Sequence, residues 1–309
     1  MDVVVYRGGV PESEHAVAAV LFADGAVREQ VGPIDRAVTW RSAAKPFQLE
    51  VTLPLTGLAP GDRQLAIGAS SHWGQPVHTA LVGEVLTAAA CTEGELYCGR
   101  DWPSHPASKR AAEGARAVFN NCSGKHAYMA GACRACGWDP DYRPVVHPLQ
   151  QRILSRVIER TGAPVETVVD GCGVPCFVLP IPAMGRAWAA LATEAAGGST
   201  PLGRIGRAMS AWPVETGGEG AIDTAVMAGA GGRAVAKVGA EGLICVAVPA
   251  AGASVIVKVW TGDATARAVA LGALLERWFP NLVSAEVFAG YSVVRNVVGQ
   301  DVGRRAIRD

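Results

Sequence analysis

Ser42 and Lys45 stand three residues apart in Arg41-Ser42-Ala43-Ala44-Lys45-Pro46-Phe47-Gln48, a stretch that reads as the opening of a helix. That spacing puts a hydroxyl and an amine on one face, within reach of a shared proton. It is the smallest set that gives a serine nucleophile with a lysine base. To work near neutral pH the lysine must lose about 3 pKa units from ~10.4, roughly 4 kcal/mol against its charged form. Burial supplies part of this and a second cation in the same cavity supplies more. The chain should therefore hold another basic group destined for that cavity. Taken alone, Ser42 also suits a helix N-cap and Lys45 a solvated first turn.

Enzymes that acylate the serine of a Ser-x-x-Lys pair add a serine-bearing loop and a lysine strand facing the nucleophile. Ser71-His72 follows an apolar run at a turn, and Lys237-Val238-Gly239 ends a strand in the C-terminal third, in the matching order. Lys237 is then the required second cation. A further polar cluster, Asn120-Asn121-Cys122-Ser123-Gly124-Lys125-His126, can be joined by Cys172 or Cys176. Thiolates near a histidine suggest zinc, with His126 the natural nitrogen ligand. Cys133-x-x-Cys136 lies in a helical stretch without a second pair and reads as packing, and Cys91, Cys98 and Cys245 receive no role.

The elements that must position these groups follow from periodicity and turn signals. Val3–Arg7, Ala16–Ala23 and Val27–Val31 read as strands, the last two joined by Asp24-Gly25, a hairpin signal. Helices are expected over Lys45–Leu55, His78–Cys91, Gly124–Arg134, Pro148–Thr161 and Ala264–Phe279, and strands over Arg233–Lys237, Leu243–Val248 and Ser254–Trp260. Asp170-Gly171-Cys172-Gly173-Val174-Pro175 is a turn cluster. Strands at both ends with helices between imply an antiparallel sheet built from the two termini and a mostly helical insertion after Ser42.

At 309 residues and 32.0 kDa the chain can bury a large core, as one domain or two intimately packed lobes. Lys plus Arg and Asp plus Glu both number 28, so no net charge draws it to nucleic acid or an anionic membrane, and a small-molecule partner fits better. The longest uncharged run, Gly242–Val257, is broken by Pro249 and Gly252 and is too short to span a bilayer. Without a basic leader pattern, the expectation is a soluble cytoplasmic protein whose eight cysteines are thiols or metal ligands.

The successive segments around Ser42, Ser71, Cys122, Cys172 and Lys237, above all Asn-Asn-Cys-Ser-Gly-Lys-His, resemble the motifs of the Rhizobium-type L-asparaginases. The resemblance runs from Arg7-Gly8-Gly9-Val10-Pro11-Glu12-Ser13 to Val257-Lys258-Val259. It implies a mixed α/β (α+β) fold similar to serine β-lactamases and glutaminases, with a sheet lobe over about 1–41 and 165–309 and a helical lobe over about 42–164. It also implies hydrolysis of the side-chain amide of L-asparagine, usually by a homodimer. Residue by residue it implies two couples, Ser42 with Lys45 and Ser71 with Lys237, and a zinc ion held by Cys122, Lys125 and Cys172. Arg41, His72 and Asp170 are implied at the substrate. The chain departs from the family at Ala43, at Gln75 where a glutamate is usual, at Ala221-Ile222 where Arg-Phe precedes Asp-Thr, and at Tyr128 where a glycine is common. A lost carboxylate and a lost arginine could re-aim the cavity toward another asparagine-like amide, for hydrolysis or acyl transfer in secondary metabolism. A non-catalytic zinc or amino-acid binding protein is the remaining alternative.

Overall fold

Asp24 and Gly25 both adopt positive φ, 50° and 76°, and turn the chain between two long strands, as the two-residue hairpin turn requires. The computed structural model describes residues 1–308. Its strands are β1 (Asp2–Arg7), β2 (Val10–Ala23), β3 (Ala26–Val31), β4 (Ala37–Thr39), β5 (Glu166–Val169), β6 (Pro175–Pro180), β7 (Val235–Val238), β8 (Leu243–Val248), β9 (Ala253–Val259), β10 (Val293–Arg295) and β11 (Asp301–Arg308). The large sheet runs β10-β11-β1-β2-β9-β8-β7 with β3 also on β2, and a small sheet runs β4-β6-β5. Every pairing is antiparallel. The expected sheet from both termini is present: β1 pairs with β11 and β2 with β9. The hairpin β10–β11, absent from the sequence reading, forms one edge of the sheet.

The helices are α1 (Lys45–Thr56), α2 (Asp62–Gly68), α3 (Pro76–Ala88), α4 (Pro106–Ala111), α5 (Ser123–Cys136), α6 (Pro148–Thr161), α7 (Ile181–Ala196), α8 (Pro201–Ala211), α9 (Pro213–Thr216), α10 (Ile222–Ala230), α11 (Ala264–Trp278) and α12 (Glu286–Ser292). None is long and apolar enough to cross a membrane. Helix α7 lies on β2, β8 and β9, while α11 covers β9, β1 and β11. Strands β8 and β9 are buried along their whole length, which is why β8 and the Val255–Val257 stretch of β9 read as apolar runs rather than alternating ones.

Helix α1 is the axis of the remaining helices and packs on α5, α6 and α8. Its first six residues, Lys45 to Glu50, are all buried, so it has no solvent face at the end that carries the chemistry. Gly124 lets α5 approach α2 closely: a Cβ there would overlap the Ile67 carbonyl oxygen. That contact sets the segment after α2, Ser70-Ser71, beside the start of α5.

Candidate active site

Ser42 does not sit in the helix. Residues Arg41–Ala44 form a 3-10 turn and α1 begins at Lys45, so the Ser-x-x-Lys motif spans a junction. The turn is entered through Arg41 at φ 50°, a left-handed conformation that a non-glycine residue adopts at a cost. The surroundings impose it. Trp40 donates its N–H to Phe177 O at 2.8 Å, and its fully buried ring lies 5.0 Å from that of Phe47. On the other side Arg41 Nε meets Asp170 Oδ1 at 2.7 Å. Ser42 is thereby presented to a polar cavity of about 310 Å³ that Ser71, Asn121, Cys122, Cys172 and the Val238–Ala240 backbone also line.

Lys45 is fully buried. Its Nζ donates to Ser70 O at 2.5 Å, to Asn121 O at 3.1 Å and to Ser71 Oγ at 2.9 Å. As a neutral amine it would keep two N–H groups for the two carbonyls and turn its lone pair to the Ser71 hydroxyl. Burial lowers its pKa, and Lys125 adds to this while Cys122 and Cys172 oppose. The pairing differs from the one expected: Lys45 bonds Ser71 rather than Ser42. Helical spacing put Lys45 with Ser42, but the buried α1 aims the amine at the segment after α2.

Lys237, also fully buried, reaches Asp223 Oδ2 at 3.4 Å and Val238 O at 3.2 Å, not Ser71. Asp223 was missed by sequence reasoning. Its Oδ2 also accepts from Val238 N at 3.1 Å and its Oδ1 from Thr224 N at 3.1 Å. One carboxylate thus ties the lysine and the end of β7 to the first turn of α10. Burial brings the Lys237 pKa down to about 8, with Asp223 opposing and Lys45 assisting. Next along, Gly239 N is bonded to Leu243 O at 2.9 Å, which removes it as an oxyanion donor. The N–H groups of Ser42 and Ala240 make no bond to another residue outside the regular elements, among the described residues.

The thiols of Cys122 and Cys172 meet across the cavity floor. A hydrogen bond from Cys172 holds the Cys122 pKa well below the usual thiol range against the effect of burial, with Lys45 and Lys125 assisting. The same bond, with burial, pushes Cys172 up. Burial would lower buried Lys125, but Cys172, Cys122 and Asp170 beside it raise its pKa. Burial works to raise Asp170, yet Lys125 and Arg41 hold it below the usual carboxylate range. Among the described residues no group of three His, Cys, Asp or Glu side chains could hold a metal ion, so a site here depends on the lysine as third donor. Two sulfurs and an amine near enough to shift one another's pKa are a donor set that suits zinc. His126, favoured as a ligand on residue chemistry, turns to Tyr142 Oη at 2.9 Å.

His72 is placed away from the cavity wall. It is fully buried, its Nδ1 accepts from Gly74 N at 3.1 Å, and its Nε2 lies 2.8 Å from Ser123 Oγ. Burial, with His78 and both lysines nearby, keeps its pKa well below the usual histidine range, so its task is to brace the start of α5. Nor do the departures at Gln75, Ala221 and Tyr128 line the cavity. Gln75 Oε1 accepts from Glu219 N at 2.9 Å, and Tyr128 Oη donates to Gln64 O at 3.0 Å. Cys133 and Cys136 are free thiols on α5.

Comparison with known proteins adds one finding. The profile of a family described as L-asparaginase II matches residues 3–305. No curated protein matches the chain.

Proposed function

From its membership of the L-asparaginase II family, to which the chain belongs and which makes it an amidohydrolase, we propose that it hydrolyses L-asparagine to L-aspartate and ammonia through a serine acyl-enzyme. We further read it as the zinc-containing Rhizobium type, with the β-lactamase-like fold that goes with it. The observation that carries the mechanism is the Lys45–Ser71 hydrogen bond of 2.9 Å, in a cavity that Ser42 shares.

Ser42 Oγ, open to the cavity, attacks the side-chain amide carbon. Its proton passes through the Ser71 hydroxyl to Lys45, whose two carbonyl contacts fix the lone pair toward Ser71. The Ser42 and Ala240 N–H groups face the developing oxyanion. The proton returns to the departing nitrogen as ammonia leaves, and water then cleaves the ester with the same groups acting in reverse. Lys237, held by Asp223, supplies positive charge behind the β7 wall.

Cys122, Lys125 and Cys172 would hold the zinc. When bound it would supply a fixed positive charge and a Lewis-acid contact at the cavity floor. Since the substitutions at Gln75 and Ala221 lie outside the lining, they give no reason to replace asparagine by another amide. A second reading exchanges the serines: Ser71, the one bonded to Lys45, would be the nucleophile. Ammonia release over L-asparagine, L-glutamine and a panel of substituted amides tests the activity. Mapping the acylated serine tests the assignment.

A further inference from the structure

We propose that Asp101 recognises the α-ammonium of the substrate and so makes the cavity selective for amides of α-amino acids, an inference that rests on the amide-hydrolysis reading. An amino-acid amide brings a carboxylate and an ammonium into the cavity, and each needs an opposite charge. Arg41 is the cation on the wall, and its guanidinium retains N–H groups beyond the Nε bonded to Asp170. Two side-chain carboxylates line the cavity, Asp101 and Asp170. Asp170 is already neutralised, its Oδ1 2.7 Å from Arg41 Nε and its side chain only 8% exposed. Asp101 has no basic side chain within ion-pair distance among the described residues. Its Oδ1 accepts one bond, from Trp102 N at 2.8 Å, which leaves the other carboxylate oxygen for a ligand.

The loop that carries Asp101 is built to hold it still. Asp101 and Arg116 exchange backbone bonds of 3.1 and 3.0 Å, and Asn120 Nδ2 donates to Cys98 O at 3.0 Å. Farther along, His105 N donates to Trp73 O at 2.9 Å and Gly74 packs on Pro103. The loop backbone that carries the exposed carboxylate is therefore held relative to the Ser71 turn, which lowers the cost of ordering it on binding.

L-aspartate and succinate differ only in the α-ammonium, so their affinities measured by calorimetry isolate this contact without turnover. Wild-type protein should bind L-aspartate at least about tenfold more tightly than succinate, as expected for a hydrogen-bonded charge pair. In Asp101→Asn the gap should close through loss of aspartate affinity, with succinate affinity and thermal midpoint unchanged. Turnover should follow: KM for L-asparagine rises and kcat holds, while succinamate hydrolysis is untouched. The proposal is overturned if wild-type protein does not prefer aspartate, if the preference survives in Asp101→Asn, or if Asp170→Asn abolishes it instead. Aspartate binding without ammonia release from L-asparagine would sink the hydrolysis reading, and the aspartate-to-succinate ratio would still decide Asp101.

Discussion

Lys237 and Asp223 form an ion pair sealed from solvent, Nζ 3.4 Å from Oδ2 with neither side chain exposed. The same carboxylate holds Val238 N at 3.1 Å, so the charge that balances the lysine also fixes the strand end forming the cavity wall. Lys45 disfavours the charge of buried Lys237, and Asp223 favours it.

Removing that balance should be costly. Asp223→Asn leaves a buried ammonium without its counter-charge, and unfolding in urea should show a loss of about 3 kcal/mol, the usual scale for breaking one side of a buried pair. The double replacement Asp223→Asn with Lys237→Met should cost less than Asp223→Asn alone. A double variant at least as unstable as the single one would mean that the pair does not bear on stability.

The Lys237 titration gives a pH signature. The folded pKa is about 8 against roughly 10.4 for an unfolded lysine. Between those values the unfolded chain binds the extra proton, so this residue's contribution makes stability rise with pH across the window, and its penalty is complete below pH 8. Urea midpoints from pH 8 to 10 should climb more steeply in wild-type protein than in Lys237→Met. Ammonia release should fall as pH rises through about 8, and the fall should move to lower pH in Asp223→Asn, because Asp223 is the group that raises the lysine. A profile identical in both proteins would contradict this.

Metal content is a separate matter. Protein purified without chelator should carry zinc in stoichiometric amount by plasma mass spectrometry. Cys122→Ser or Cys172→Ser should remove nearly all of it, since each takes away one of three donors. Unchanged zinc in both variants would place the ion elsewhere or nowhere.

Gly124 tests how the helices set the site. A methyl at this position meets the Ile67 carbonyl oxygen, so Gly124→Ala must push α5 off α2. The expected cost is at least 1–3 kcal/mol of stability. Activity should fall even where the protein stays folded, because Ser71 follows α2 directly while Cys122 and Lys125 bracket the start of α5. A fully stable, fully active variant would show that the close approach is not required.

The hydroxyls and thiols of the site, with Lys45 and Lys237, could be read from the sequence because each lies in a dense local motif, and the hairpin at Asp24-Gly25 because its turn chemistry is local; Lys125 as a donor came only with the family resemblance. The partners of these groups could not be read in this way. Lys45 joining Ser71 depends on how a wholly buried helix is rotated, which three-residue spacing does not fix. Asp223 stood unrecognised since nothing around it in the chain announces a partner fourteen residues away. The resemblance implied His72 at the substrate, whereas its ring hydrogen-bonds Ser123 at the start of α5. The final strand β11 alternates too weakly to signal its pairing with β1. Gln75 and Ala221 suggested a changed pocket, but neither side chain lines the cavity.

The central claim is that Ser42 carries the acyl group with Lys45 as the base. Its most direct test is mass spectrometry of protein quenched during turnover of L-asparagine, with the modified peptide sequenced. An aspartyl ester on Ser42 is expected, absent in Ser42→Ala and in Lys45→Met, with ammonia release in both reduced by roughly a thousandfold. An ester on Ser71, or ammonia release in Ser42→Ala comparable to wild type, would contradict it.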